Sequence, residues 1–341
     1  MSADLPPALT AAIAARLEGR GRDTLADRAR SQSERYRAGG GSAAVVRDEA
    51  DALAYALARA PATYAACHAA FEALAELADL APASLLDAGA GTGSASWAAL
   101  DVWPGVKTAT FLDSNPAFLA AAGDLASASR DAALTAATRL RGDLAAAADL
   151  PAADLVVASY ALAELPPAAL QAATLRLWTA TRQMLVIVEP GSPAGWRRIL
   201  DIRAALIEAG AHIAAPCPHQ APCPVAQPDW CHFAQRLARS RDHRLAKGGT
   251  VPFEDEKFIY LAALRAPATR PAARVVGPPR TTKPAIALKL CTADGALEYR
   301  PYPRRDKAAY AVARRLDWGD AIFEEPAEGR FSGKDLNHEE P

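Results

Sequence analysis

The stretch Leu85-Leu86-Asp87-Ala88-Gly89-Ala90-Gly91-Thr92-Gly93 constrains this chain more than any other. Two apolar strand positions run into an acid and then into glycines at alternate positions. Glycine has no Cβ, so it turns at positive φ and lets the backbone approach a bound ligand closely. Residues 94–100 follow as a helix whose N-terminus faces that ligand. The pattern is D-x-G-x-G-x-G rather than the G-x-G-x-x-G of dinucleotide folds, so a pyrophosphate signature is absent.

The next strand, over residues 108–112, ends in Asp113, 20 residues after Gly93. At that place a carboxylate accepts hydrogen bonds from two ribose hydroxyls. A third acid, Asp143 in Arg141-Gly142-Asp143-Leu144, stands at the end of the third strand. The glycine stretch resembles motif I of the class I S-adenosylmethionine-dependent methyltransferases, a doubly wound, Rossmann-like α/β fold. The resemblance implies that Asp87, Gly89, Gly91 and Gly93 surround the amino-acid end of S-adenosylmethionine and that Asp143 contacts its adenine. The alternative is a tight strand-to-helix turn with loop carboxylates nearby.

A chain of 341 residues that is 51% hydrophobic buries a large core and leaves room for more than one unit. The expected organisation is a helical region over 1–78, a methyltransferase-like domain over 79–265 with a cysteine-rich insertion at 211–250, a basic β-containing extension over 266–320, and an acidic, disordered tail over 321–341. Residues 5–77 are rich in Ala and Arg and lack strand-like alternation, so they read as helices broken at Gly39-Gly40-Gly41. Pro61 is expected to kink or divide the second half, and Cys67 reads as a buried core cysteine. Strands expected at 85–87, 108–112, 138–141, 155–158 and 185–188 alternate with helices, the rhythm of a parallel sheet with crossover helices. Ligands of such sheets bind beyond the carboxyl ends of the strands, where Asp87, Asp113, Asp143, Ser159 and Glu189 fall.

No run of 18 apolar residues occurs, so neither a transmembrane helix nor a membrane partner is expected. The N-terminus lacks a secretory apolar region and carries Asp4, Glu18, Asp23 and Asp27, which argues against a transit peptide; a cytoplasmic setting is the expectation.

After the fourth strand stands Ser159-Tyr160-Ala161-Leu162-Ala163-Glu164-Leu165-Pro166-Pro167. It lacks the D/N-P-P-Y/F run that clamps an exocyclic amine, and no cysteine lies near any of these five strand ends to act as a nucleophile. Tyr160 reads either as a base-stacking ring or as a core aromatic, Glu164 as a solvated carboxylate, and no catalytic residue is assigned.

Three of the five cysteines, Cys217, Cys223 and Cys231, fall within a proline-rich segment that also holds His219 and His232. Proline suppresses helix and strand, which lets thiolates of a short segment converge on one ion or cluster. Cys291, 60 residues beyond Cys231 on an expected strand, supplies a fourth. Four thiolates suit either a structural Zn2+ or an iron–sulfur cluster. The spacing C-x5-C-x7-C lacks the tight C-x2-C knuckle usual for zinc, and the flanking prolines favour the cluster. A Cys3His zinc site through His219 or His232, and simple buried thiols, remain open at this point.

The glycine loop, Val188-Glu189-Pro190-Gly191-Ser192-Pro193-Ala194-Gly195, the three-cysteine run and Cys291 together resemble the mitochondrial small-ribosomal-subunit methyltransferase-like family, which includes methyltransferase-like protein 17 and bacterial relatives. The resemblance spans residues 43–320. It implies a [4Fe–4S] cluster on Cys217, Cys223, Cys231 and Cys291, and a role in assembling the small ribosomal subunit. Residues 265–316 carry twelve Lys or Arg against three acids. Arg274, Arg280, Lys283, Lys289 and Arg300 are interleaved there with Tyr299 and Tyr302, and Arg304, Arg305, Lys307, Arg314 and Arg315 with Tyr310 and Trp318, a mixture suited to phosphate contacts and base stacking. The expected protein binds S-adenosylmethionine, a cluster and small-subunit ribosomal RNA, and is a monomer apart from the ribosome. An active rRNA methyltransferase, and a small-molecule methyltransferase with a zinc-stapled insertion, are the alternatives.

Overall fold

In the computed structural model the structure describes residues 4–37, 45–146 and 148–323. The expected Gly39-Gly41 break and the acidic tail beyond residue 323 lie outside them. Helices α1 (Pro7–Leu17), α2 (Arg22–Arg37) and α3 (Glu49–Ala75) form the N-terminal region. Asp48 starts α3 by accepting a hydrogen bond from Asp51 N at 2.8 Å, satisfying one of the donors left free in a first turn. Pro61 lies inside α3 and does not divide it. Its missing N–H is outweighed by tertiary burial, since Ala60, Ala62, Ala65 and Ala66 around it are at most 1% exposed.

Next come β1 (Ser84–Ala88), α4 (Ser94–Val102), β2 (Thr108–Asp113), α5 (Pro116–Ala126), α6 (Ala132–Thr135), β3 (Thr138–Arg141), β4 (Ala153–Ser159), α7 (Pro167–Ala180), β5 (Thr181–Pro190) and α8 (Pro193–Glu208). Then follow β6 (His212–Ala215), β7 (Phe233–Ala238), α9 (Arg241–Lys247) and β8 (Phe253–Leu264). The sheet order is β3-β2-β1-β4-β5-β8-β6, with β7 also pairing β8. The pairs from β3 to β5 are parallel, while β8 runs antiparallel to β5 and to β6. This is the doubly wound, Rossmann-like α/β fold of class I methyltransferases.

Strand alternation places successive side chains on opposite faces. Leu85, Leu155, Val157, Val186 and Val188 belong to the core packed under α3, α4 and α5. Leu86, Val156, Ala158, Leu185 and Ile187 belong to the core under α7 and α8. Strand β8 has twelve residues and reaches further than β5. Its second half pairs with β6 and its first half with β7, so the chain between β6 and β7, residues 216–232, bulges from this sheet edge.

A second, antiparallel sheet follows. It comprises β9 (Ala273–Val275), β10 (Arg280–Thr281), β11 (Ala285–Thr292), β12 (Leu297–Pro303) and β13 (Ala321–Ile322), with helix α10 (Lys307–Ala313). Ile286, Leu288 and Leu290 of β11 pack with Ala309 and Ala313 in its core. Among the described residues, no helix is long and apolar enough to cross a membrane.

Candidate functional site

The loop between β1 and α4 turns through Gly89, Gly91 and Gly93 at φ +77°, +54° and +80°, conformations that suit only glycine well. Gly91 has open space where a Cβ would stand, whereas a Cβ on Gly89 would collide with Ala161. The tip of the loop is therefore free and its base is clasped by the segment after β4. Asp113 Oδ2 accepts from Gly91 N and Oδ1 from Asn115 N, each at 2.8 Å, so this acid braces the glycine loop from the end of β2. Asp87 is fully buried and accepts from Ser96 Oγ at 2.7 Å, which ties β1 to α4; its Oδ1 has no partner. Burial pushes the Asp87 carboxyl up to about 7, and burial also raises that of Asp113. Asp143 is exposed and accepts from Ala145 N, so it caps a turn at the end of β3.

Tyr160 has a left-handed backbone at φ +57°, costly for a residue with a Cβ. Its hydroxyl donates to Glu256 Oε1 at 2.9 Å, and Glu256 pairs with Arg59 of α3 at 3.2 Å. The ring is thus held by a polar network, closer to the core reading than to an open stacking ring. Glu164 is exposed. At the end of β5, Glu189 is fully buried against Arg198, and burial pushes its carboxyl up to about 7.

The four cysteines converge. Cys217, Cys223, Cys231 and Cys291 all line one small cavity, closed by Trp196, Ile199 and Arg203 of α8 and by Ile259 and Leu261 of β8. Cys291 reaches it from β11, where it pairs with Arg274 of β9 and Leu297 of β12. His219 lies beside it, with Nε2 at 3.3 Å from Cys291 Sγ and Nδ1 at 3.1 Å from Ala221 O. Burial raises the Cys217 and Cys231 thiols and pushes Cys291 up to about 12; the thiols raise one another, while Arg203 and Arg274 pull Cys217 and Cys291 down. The fifth cysteine, Cys67, is fully buried in α3, as expected.

Arg203 lines this cavity and Arg274 is buried behind its Pro216 wall, and the sequence reading missed what they do. Arg203 donates to His219 O and Ala221 O, each at 2.9 Å, and Arg274 donates to Pro216 O at 3.1 Å and Gly319 O at 2.8 Å. Arg203 Nε, one Nη of Arg274 and Trp196 Nε1 are buried without a hydrogen-bond partner among the described residues. Arg274, expected among the phosphate-binding cations of the basic extension, has a fully buried side chain that cannot serve there. A signal for Arg203 existed: it falls on the apolar stripe of Trp196, Ile199 and Leu206 at helical spacing. Unpaired buried donors and cationic guanidiniums beside four thiols suit an anionic occupant with sulfur acceptors. Among the described residues, no three His, Cys, Asp or Glu are grouped so as to hold a metal ion.

Comparison with known proteins gives the following. The family described as Rsm22, mitochondrial small ribosomal subunit Rsm22, matches residues 49–323. The human ribosome assembly protein METTL17, mitochondrial, is 28% identical over 292 residues, covering 79% of this chain and 62% of that protein. The Rsm22-cox11 tandem protein 2, mitochondrial, of Schizosaccharomyces pombe is 27% identical over 190 residues, covering 43% of this chain and 25% of that protein. The chain thus spans less than two thirds of the length of either relative. Among solved structures, an O-methyltransferase family protein from Burkholderia thailandensis has a TM-score of 0.43 at 13% identity, covering 65% of this chain and 61% of that one. Human N-acetylserotonin methyltransferase, solved with S-adenosylmethionine, has a TM-score of 0.41 at 17% identity, covering 74% of this chain and 68% of that one. The cytoplasmic setting expected from the N-terminus is corrected by these names: the family and both relatives are called mitochondrial, which points to the mitochondrion.

Proposed function

The chain belongs to the Rsm22 family of the mitochondrial small ribosomal subunit, and from that premise we propose that it assists small-subunit assembly by binding ribosomal RNA, S-adenosylmethionine and a [4Fe–4S] cluster. The observation that carries the cluster is the meeting of four thiols from two distant segments on one cavity bordered by buried, unpaired N–H donors. Cys217, Cys223, Cys231 and Cys291 would hold it, and binding would release their protons. When bound, the cluster supplies a rigid, redox-capable anionic centre. Arg203 and Arg274 offset its charge and fasten the backbone at 216, 219 and 221 around it. The proline-rich segment is thereby tied to β11 of the second sheet.

S-adenosylmethionine is assigned to the tip of the glycine loop, where Gly91 leaves open space and the Asp113 carboxylate stands beside it. The Asp113 carboxylate accepts from the backbone N–H groups of Asn115, Gly91 and Ser114, which leaves it an acceptor direction for a ribose hydroxyl. Asp87 and Asp143 act around it as a loop anchor and a turn cap.

The test is iron, acid-labile sulfide and zinc analysis of anaerobically purified protein, together with co-sedimentation on small ribosomal subunits across a salt series. Iron and sulfide in equal, near-fourfold amounts are expected, with binding that falls steeply as salt rises. Stoichiometric zinc in a colourless protein would replace the cluster. Absence of co-sedimentation at low salt would remove the ribosomal role.

A further inference from the structure

Beside the cysteine cavity lies a second, more polar and open cavity, and the two share Val276. We propose that this second cavity takes an unpaired nucleotide of an RNA strand, a site that rests on the ribosomal reading above and specifies where RNA is gripped.

The second sheet has two unlike faces. Along β11, Ile286, Leu288 and Leu290 point into the small core, so Ala287, Lys289 and Cys291 share the other face. Cys291 reaches the cysteine cavity, while Ala287 and Lys289 line the polar one. Cross-strand pairing then adds Tyr299 opposite Lys289 and Arg280 opposite Ala287, and both line the same cavity. Tyr299 is 54% exposed, with the Arg280 guanidinium 5.9 Å and the Lys289 ammonium 6.0 Å from its ring centre. A half-bare aromatic ring held among cations on an open sheet face is a platform for a base with its phosphate alongside.

The opposite wall is aromatic as well. Trp230 and His232 stack at 5.1 Å with an interplanar angle of 19°, and Trp318 meets His232 edge-on at 4.8 Å. Trp230 is fixed by donating from Nε1 to Gly191 O at 3.0 Å. These two rings bracket Cys231, so whatever orders Cys231 also orders this wall. Asp229 pairs with Lys289 and places an acceptor at the rim. From the cavity the positive charge continues to exposed Lys283 and Arg304, which the bond from Arg304 N to Pro284 O keeps at the far end of β11. Aromatic walls without a deep base-shaped slot suit an unstacked base in a flexible strand; a duplex keeps its bases stacked and presents only phosphate.

The experiment titrates the full chain, purified anaerobically, with a labelled single-stranded oligoribonucleotide, the same sequence as a duplex, and adenosine and uridine monophosphates. Tryptophan quenching and anisotropy are read across a salt series. The native chain is expected to bind the single strand more tightly than the duplex. Tyr299→Ala is expected to weaken single-strand binding roughly tenfold with an unchanged salt slope, and Tyr299→Phe to restore it. Arg280→Ala is expected to weaken binding and lower the slope by about one phosphate contact. Both side chains are exposed, so an unchanged melting temperature checks that the fold is intact.

Equal affinity of Tyr299→Ala and the native chain for the single strand overturns the site, as does equal or tighter duplex binding. A monophosphate that binds as tightly as the oligonucleotide overturns the RNA source and assigns the cavity to a free nucleotide. If Tyr299→Ala binds the single strand like the native chain while native protein still co-sediments with subunits, the cavity fails and the ribosomal reading stands. Loss of co-sedimentation with oligonucleotide quenching intact fails the ribosomal reading alone.

Discussion

Asp87 and Asp113 are both acids at strand ends, yet their surroundings give them different work. Asp113 keeps two backbone N–H groups of the glycine loop and of α5 in place, and it borders the open tip at Gly91. Asp113→Ala is therefore expected to weaken S-adenosylmethionine binding by roughly 1.5–3 kcal/mol, the worth of hydrogen bonds to a charged group. Calorimetry checks this, and equal affinity of variant and native chain would remove Asp113 from the cofactor site. Asp87 has no exposure and holds its proton in the folded chain up to about 7, against 3.8 when free. Between those values the folded state binds more protons than the unfolded one, so this carboxyl's contribution to stability is lost as pH rises through the window. Glu189, raised from 4.5 to about 7 by burial, acts in the same direction. Asp87→Asn is expected to flatten the decline of the urea midpoint across that window; an unchanged pH profile would contradict it. The acids themselves were legible from their place after each strand, but their partners were not. Ser96, nine residues from Asp87, and Gly91, 22 from Asp113, are set opposite them by the turn and the neighbouring strand.

At the scale of elements, the turn from β5 into α8 shows how a short motif is fixed by its neighbours. A Cβ on Gly191 would stand 2.6 Å from Phe258 N and 2.7 Å from Lys257 C, so the backbone of β8 occupies the room a side chain would need. Ser192 caps α8 by accepting from Gly195 N at 3.1 Å, and Pro193 opens its first turn. Gly191→Ala is expected to destabilise the chain by about 1–3 kcal/mol through forced separation of β5 and β8. It should also loosen Trp230, whose indole N–H bonds the Gly191 carbonyl. Urea unfolding followed by tryptophan fluorescence reads both effects, and a midpoint equal to the native one would sink the claim. The five parallel strands of the main sheet were readable because apolar runs alternated with helical stretches. Strands β6, β7 and β8 were not, because β8 is recognised as one long antiparallel strand only when β5 lies beside it. Pro61 does not divide its helix for a related reason: a local rule against proline gave way to a wall of buried alanines.

At the scale of the whole molecule, the cysteine cavity is where the main sheet, α8, the proline-rich segment and the second sheet come together. If a cluster fills it, its binding energy is folding energy for that junction. Cys223→Ser is expected to lose iron and sulfide and to lower the melting temperature by several degrees, and chelation of the native chain should act likewise. Scanning calorimetry paired with metal analysis checks this; an unchanged transition in a metal-free chain would separate the junction from the metal. The sequence by itself determined the glycine loop, the alternation of strands and helices behind it, and a run of thiols suited to a shared centre. Those features follow from local chain chemistry: glycine's missing Cβ, periods of two and 3.6, and close spacing of like side chains. Only the tertiary structure decided that Arg274 would be buried near the cysteines instead of facing solvent, and that Tyr299 and Lys289 would share the open face of a sheet. Each of those outcomes depends on which distant surfaces cover one another, and that is settled by burial summed over the whole chain.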